Sequence, residues 1–76
     1  MGGVKKKVKG NEVTLSHSGI TVTLKGNKLT IKMGFRSREW DLNPRFAEGL
    51  RNVMEDIETE DQFTSFLIFL IKMLYE

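Results

Sequence analysis

The phrase "VKGNEVTL" at residues 8–15 is nearly repeated as "LKGNKLTI" at residues 24–31. In both copies a Gly-Asn dipeptide separates two short runs in which apolar and polar residues alternate. Alternation with a period of two is typical of strands that bury one face. A two-residue loop with Gly first is typical of a type II′ hairpin turn, because Gly adopts the required positive φ without strain. The repeat therefore predicts two β-hairpins, with turns at Gly10-Asn11 and Gly26-Asn27.

The alternation continues beyond the second hairpin and predicts a fifth strand. A turn at Ser37-Arg38 would pair Arg36 with Glu39 on the outer face. The same turn would pair Phe35 with Trp40 on the inner face. We therefore expect an antiparallel meander of four or five strands over residues 4–43.

Two residues of this predicted sheet depart from simple alternation. Gly34 lies between two apolar residues, and a bulge there would shift the register of the last hairpin. Lys6 falls on the apolar parity of the first strand. An inward-pointing charge is typical of an edge strand that is protected against pairing with another chain.

The period changes after the sheet, and two helices are predicted at residues 44–58 and 60–75. Asn43 and Pro44 suit the N-cap and the first position of the first helix. Thr59 and Gln62 match the capping box of the second helix. Gly49 inside the first helix suggests a close approach to another element. The predicted fold is α+β, with both helices packed on one face of the meander.

The second helix has more apolar residues than one buried face needs. Ile68, Phe69, Met73 and Tyr75 fall outside its main apolar stripe. We interpret these four residues as a surface for a homodimer or higher oligomer, with a loosely packed monomer surface as the alternative. The apolar run is shorter than the 18 or more residues of a typical membrane span, so no membrane partner is expected.

Composition narrows the possible classes of function. The chain has 76 residues, no Cys and one His, so we expect a single domain over residues 1–76 without disulfides or a structural zinc site. His17 is expected to be exposed at a turn. The acidic residues at 55–61 match no calcium loop, and no catalytic set with a plausible layout is present. We predict no enzyme activity, no cofactor and no metal, and the absence of Cys and of a signal peptide favours a cytoplasmic location.

The charge is divided unevenly along the chain. Residues 1–38 carry nine basic side chains against one acidic, a net charge of +8, whereas residues 39–76 carry three basic against nine acidic, a net charge of −6. A basic half of this kind indicates a polyanionic partner. The alternative is that the lysines are only the solvated outer face of the sheet. The outer face is predicted to carry Lys5, Lys7, Lys9, Lys25, Lys28, Lys32, Thr21, Thr23 and Thr30.

A resemblance adds to this interpretation. From "GITVTLKGNKLTIKMGF" through "REWDLNPRFAEGLRNVMEDIE", residues 19–58 resemble the single-stranded-DNA-binding core of the positive cofactor four family of transcriptional coactivators. The matching features are Lys25-Gly26-Asn27, Leu42-Asn43-Pro44 and the apolar stripe from Phe46 to Ile57. The chain is similar in plan also to the small ThermoDBP-type single-strand binders, which have a basic sheet and associate through helices.

The resemblance implies binding to single-stranded DNA or RNA with little sequence preference, and the charge layout agrees with it. The alternative function is a protein–protein adaptor or inhibitor that docks through the last helix. The predicted nucleic-acid contacts are the outer-face lysines Lys5, Lys7, Lys9, Lys25, Lys28 and Lys32, the rim arginines Arg36 and Arg38, and the aromatic pair Phe35 and Trp40. Lys25 and Lys28 lead this set, because they face each other across a turn without an acidic partner in the sequence.

Overall fold

The computed structural model describes residues 3–75, which form five strands and two helices. The strands make one antiparallel sheet in the order β1-β2-β3-β4-β5, so that neighbours in sequence are neighbours in space. This confirms the predicted α+β meander followed by two helices. Residues 1, 2 and 76 of the predicted domain lie outside the described range. The elements are β1 (Lys5–Lys9), β2 (Glu12–His17), β3 (Ile20–Lys25), β4 (Lys28–Met33), β5 (Arg36–Asp41), α1 (Pro44–Asp56) and α2 (Glu60–Leu74).

The Gly-Asn turns have the predicted backbone. Gly10 and Gly26 have φ values of 59° and 60°, and neither following Asn has a positive φ, as a type II′ turn requires. The flanking pairs are Lys9 with Glu12 and Lys25 with Lys28, in agreement with the predicted register. We call this end of the sheet the Gly-Asn end. The opposite end, with turns at residues 18–19 and 34–35, is called the Phe35 end.

The predicted turn between β4 and β5 is wrong. The chain turns at Gly34-Phe35, and Gly34 has a φ of 61°, like the two Gly-Asn turns. Met33 therefore lies opposite Arg36, and Leu29 opposite Trp40. Pairing apolar with apolar residues favoured the wrong turn, whereas the positive φ that a Gly-X turn allows decided the right one. Gly34 is a turn residue and not a bulge.

The core lies between one face of the sheet and the two helices. The inner face contributes alternate residues of β2, β3 and β4, all of them buried. Each helix adds a stripe at helical spacing, so one continuous apolar cluster joins the sheet to both helices. The buried members are Val13, Leu15, Val22, Leu24, Leu29, Ile31, Ala47, Leu50, Met54, Ile57, Phe63, Phe66 and Leu70.

Both predicted helix starts are confirmed. The Asn43 side chain accepts a hydrogen bond of 2.9 Å from the Arg45 backbone N–H. Thr59 and Gln62 form the full capping box, with each side chain accepting from the other's backbone N–H. The helices end at Asp56 and Leu74, slightly before the predicted ends.

The proposed reason for a glycine in α1 is wrong. Gly49 is exposed, and a Cβ added there would meet nothing within 4 Å. No close approach requires this glycine, so its backbone freedom only lowers the stability of the helix.

The Gly-Asn end is tied together by α1. The Arg51 guanidinium donates to the backbone carbonyl of Asn11 and, at 3.0 Å, to that of Gly26. The Gly26 backbone N–H donates to the same Asn11 carbonyl at 3.1 Å. One side chain thus fixes both copies of the repeated phrase against the helix. The repetition has a structural consequence, because each copy presents a turn carbonyl to the same arginine.

Lys6 links the edge strand to the end of α1. Its Nζ donates to the Glu55 backbone carbonyl at 2.5 Å and lies 3.9 Å from a Glu58 carboxylate oxygen. The last turn of α1 carries no basic residue of its own, so Lys6 supplies the cation that favours the negative end of this helix. The inward position predicted for Lys6 is confirmed, and its charge has a partner there.

Candidate nucleic-acid interface

The register divides nine of the ten predicted contacts between two faces of the sheet, and the tenth, Phe35, lies in a turn. The six lysines lie on the open face, away from the helices, as predicted. Arg36, Arg38 and Trp40 have the same parity as Leu29 and Ile31, so they lie on the helix side. The predicted site is therefore not one continuous surface. The open face also carries the acidic Glu12 and Glu39, together with four residues that were not predicted to lie there, which are Thr14, Ser16, Ser37 and Asp41.

The positive charges of the open face are interleaved with acids at the Gly-Asn end. Glu12 lies opposite Lys9 on one side and Lys25 on the other. Lys28 Nζ lies 3.8 Å from a Glu39 carboxylate oxygen, and Lys28 is also the cross-strand partner of Asp41. The prediction that Lys28 lacks an acidic partner is wrong, because the correct register of β5 brings two acids to it.

The centre of the open face is a strip of hydroxyl groups. Thr14, Thr23 and Thr30 form one row across three strands, and Ser16 and Thr21 lie in the next. The Oγ1 atoms of Thr14 and Thr23 are 3.5 Å apart. Such a strip can donate hydrogen bonds to phosphate oxygens but offers no ring for a base to stack on.

The Phe35 end has a different chemistry. The Phe35 side chain is wholly exposed at the tip of the β4–β5 hairpin, with a relative accessibility of 107%. Arg36 and Arg38 follow on the helix side of β5, and both are exposed. Within residues 3–75, no carboxylate oxygen lies within 4.0 Å of either guanidinium. Two arginines with no acidic partner among residues 3–75 thus lie at the same end of the sheet as an exposed aromatic ring.

Two further rings support Arg38. Trp40 is half-buried against the core, on the inner face of the sheet where it was predicted to lie. Tyr75 packs on it edge to face, with ring centroids 5.6 Å apart. The Arg38 guanidinium carbon lies 5.5 Å from the Trp40 centroid and 5.1 Å from that of Tyr75. Both distances suit cation–π attraction, so Arg38 is held in place by the two rings. We call Phe35, Arg36, Arg38, Trp40 and Tyr75 the arginine corner.

A small open pocket is lined in part by Arg36, Arg38 and Tyr75 of the arginine corner. Its volume is about 200 Å³, and its walls combine guanidinium groups, a hydroxyl and apolar side chains. Planar guanidinium groups suit phosphate oxygens because two N–H groups can donate in parallel. Lys32 lies on the opposite face at the same end, as the cross-strand partner of Ser37. The pocket is lined by Ile31, Met33, Arg36, Ser37, Arg38 and Tyr75.

The predicted oligomer surface on α2 is exposed. Ile68 and Phe69 have relative accessibilities of 52% and 50%, and Met73 and Tyr75 are also exposed. Val53 of α1 was predicted to belong to the apolar stripe that covers the sheet, but it is exposed to the same degree as Phe69. Both residues line an open groove of about 640 Å³ between the two helices.

The remaining titratable residues give no second site. His17 is mostly covered, contrary to expectation: its ring packs on the edge of Phe63, and its Nε2 lies 3.2 Å from a Glu60 carboxylate oxygen. Within the described part of the chain, no three His, Cys, Asp or Glu residues are placed to hold a metal ion. Neither helix among residues 3–75 is long and apolar enough to cross a membrane.

Comparison of the chain with known protein families, with curated proteins and with solved structures finds no match. The resemblance to the single-strand binders therefore stays a prediction. The function has to be inferred from the geometry of the molecule.

Proposed function

We propose that this protein binds single-stranded nucleic acid through the arginine corner. The observation that carries the proposal is the pairing of the wholly exposed Phe35 ring with two arginines that have no acidic partner among the described residues. A wholly exposed aromatic ring has its face free for an unpaired base to stack on. Base stacking and phosphate binding need these two groups side by side.

Each group has a distinct role in the proposed complex. Phe35 offers its face to an unpaired base, an interaction that every base can make. Arg36 and Arg38 bind phosphate oxygens on the same side of the strand, and the stacking of Arg38 on Trp40 and Tyr75 reduces the entropy that it loses on binding. Binding is therefore expected to be sequence-tolerant and to prefer single strands, whose bases are free to stack.

The open-face lysines have a secondary role in this proposal. Lys25 and Lys28 lie beside acids that reduce their net field, and the hydroxyl strip has no ring. Lys32 is the exception, because it lies at the Phe35 end opposite Ser37. Together with the arginines it extends the positive surface across the edge of the sheet. The remaining lysines attract the polyanion at a distance, an effect that salt screens.

The direct test is a titration of fluorescein-labelled single-stranded DNA and RNA, followed by anisotropy at several salt concentrations. We expect binding near 50 mM salt, with log K falling by about 0.7 for each phosphate contact per unit of log salt. A hairpin duplex of the same length serves as the competitor and should bind more weakly. Absence of binding to either single strand near about 50 mM salt would contradict the proposal.

A second test separates stacking from charge. Phe35→Ser removes the exposed ring without touching the core, so the fold should be unchanged while affinity falls by about 5- to 150-fold. The salt slope should stay constant, because no charge is lost. Val8→Ser is the matched control, since Val8 is an exposed apolar residue on the other edge strand. Equal affinities for the Phe35→Ser and Val8→Ser variants would show that no base stacks on Phe35.

The rival function is a protein–protein adaptor that uses the exposed apolar side chains of α2. The specific observation in its favour is the groove between Val53 and Phe69. We propose instead that this surface serves a homodimer, which leaves the arginine corner as the site for a different molecule. Binding, rather than catalysis, is the activity that the arrangement supports.

A further inference from the structure

The helix side of the molecule is electrically divided. The junction between α1 and α2 carries five acids, of which Asp56 and Asp61 line the groove. The far end of α2 carries the exposed Lys72. Between these two ends lie Ile68 and Phe69, each about half exposed. The surface is therefore acidic at one end, apolar in the middle and basic at the other. The five acids are Glu55, Asp56, Glu58, Glu60 and Asp61.

We propose that two copies of this chain associate through α2 in an antiparallel arrangement. A two-fold axis near the middle of the helix, between Ser65 and Ile68, would place Ile68 of each copy against Ser65 of the second. The acidic end of each copy then meets the basic end of the other. The partner that this surface fits is a second copy of the chain, since the surface is complementary to itself in this orientation alone.

The spacing along α2 supports this orientation. Asp61, Ser65, Ile68 and Lys72 follow one another at intervals of four, three and four residues, and all four are exposed. Such intervals keep side chains on one stripe of a helix. In an antiparallel pair that sets Ser65 opposite Ile68, Asp61 faces Lys72 of the second copy. Both ends of the interface therefore form the same ion pair, flanking an apolar centre.

A parallel pair is disfavoured by the same charges. It would bring the acidic junctions of the two copies together and place each Lys72 opposite Lys72 of the second copy. Like charges in contact across an interface are strongly unfavourable. The antiparallel pair avoids this, and Phe69 of each copy lies next to the groove that Val53 and Phe66 line in the other. This inference does not depend on nucleic-acid binding.

A charge exchange tests the orientation. We expect sedimentation equilibrium to show a dimer for the native chain, and Asp61→Lys or Lys72→Asp alone to weaken it about tenfold or more. The double variant Asp61→Lys with Lys72→Asp should return to within about threefold of the native affinity. Glu48→Lys is the matched control, an exposed charge reversal in the middle of α1 that should leave the dimer unchanged.

Two results would overturn the proposal. One is a native chain that stays monomeric up to about millimolar concentration, where even weak specific dimers form. The other is a pair of single reversals that leave the mass unchanged, as a parallel or unrelated interface predicts. Circular dichroism of each variant shows whether the fold is kept.

Disulfide trapping gives an answer that does not depend on dimer affinity. The native chain has no Cys, so introduced thiols report only on the new positions. A mixture of Ser65→Cys and Ile68→Cys chains should form the mixed crosslink preferentially, because these residues face each other in the antiparallel pair. Asp61→Cys alone should crosslink poorly, since its two copies would lie about 16 Å apart along the helices. Rapid crosslinking of Asp61→Cys with itself would contradict the antiparallel orientation.

Discussion

At the Gly-Asn end of the sheet, two turns lie under the Arg51 guanidinium, whereas at the Phe35 end the last turn extends into solvent. The backbone is nearly the same in both places, with φ of 60° at Gly26 and 61° at Gly34. The two ends differ in the side chains that contact the turns. Arg51 binds two turn carbonyls at the first end, while Arg36 and Arg38 have no acidic partner among the described residues at the second. One end is built for stability, and the other presents groups that a ligand can use.

The largest effect is expected from removing the arginine that covers the Gly-Asn end. Arg51→Ala deletes charge-assisted hydrogen bonds to Asn11 and Gly26, and should lower the free energy of unfolding by about 2 kcal/mol. Urea unfolding measures this loss. Arg45→Ala is the control, because the Arg45 side chain has no hydrogen bond or ion pair among the described residues, and it should change stability by less than about 0.5 kcal/mol. Equal losses for the two variants would show that Arg51 does not hold the turns.

The turns themselves should respond alike at both ends. Gly26→Ala and Gly34→Ala each force a Cβ into the left-handed region, at a cost of about 1–2 kcal/mol in stability. At Gly34 the added Cβ meets nothing within 4 Å, and at Gly26 it lies 3.6 Å from the Asn11 side chain, so sterics add little to either cost. Thermal unfolding of both variants checks this. A difference above about 1 kcal/mol would mean that the two turns are not equivalent.

A smaller effect of opposite sign is expected in α1, the helix that presents Arg51. Gly49→Ala should raise the free energy of unfolding by about 0.5–1 kcal/mol, because the helix gains propensity and the new Cβ meets nothing. Gly3→Ala, outside every helix and strand, is the control and should be nearly neutral. Affinity for nucleic acid should not change in either variant, since Gly49 lies in α1 and Gly3 precedes β1, the edge strand opposite to β5. Destabilisation by Gly49→Ala would show that this glycine has a packing role.

Most of the secondary structure can be predicted from the sequence at both ends of the sheet. The Gly-Asn turns, the two capped helices and the meander all follow from local rules on φ, alternation and capping. The β4–β5 turn obeys the same rule, since Gly34-Phe35 is again a Gly-X pair. It was missed because Phe35 continues the apolar alternation and was assigned to a strand. Apolar cross-strand pairing thus predicts the wrong turn here, whereas the positive φ that Gly adopts predicts the right one.

The wrong position of the β4–β5 turn accounts for most of the wrong predictions about the site. Moving the turn from Ser37-Arg38 to Gly34-Phe35 transfers Arg36 and Arg38 to the helix side, exposes Phe35 and gives Lys28 an acidic neighbour. The hydrogen bonds of Arg51 to the two turns could not be predicted either. They depend on how α1 lies across the sheet, and spacing along the chain carries no information on that placement.

The central claim is that nucleic acid binds at the Phe35 end and not at the Gly-Asn end. Two double variants of equal charge change test it: Arg36→Glu with Arg38→Glu, and Lys25→Glu with Lys28→Glu. Each should be assayed by anisotropy with one labelled single strand at one salt concentration. Both variants change the net charge equally, so any general attraction of the polyanion is reduced by the same amount.

We predict that the arginine variant loses at least about thirtyfold in affinity and the lysine variant less than about fivefold, because only the arginines contact phosphates directly. Losses of the same size in both variants would contradict the account, since they would show that net charge alone attracts the strand. A larger loss in the lysine variant would place the site on the open face, at the Gly-Asn end.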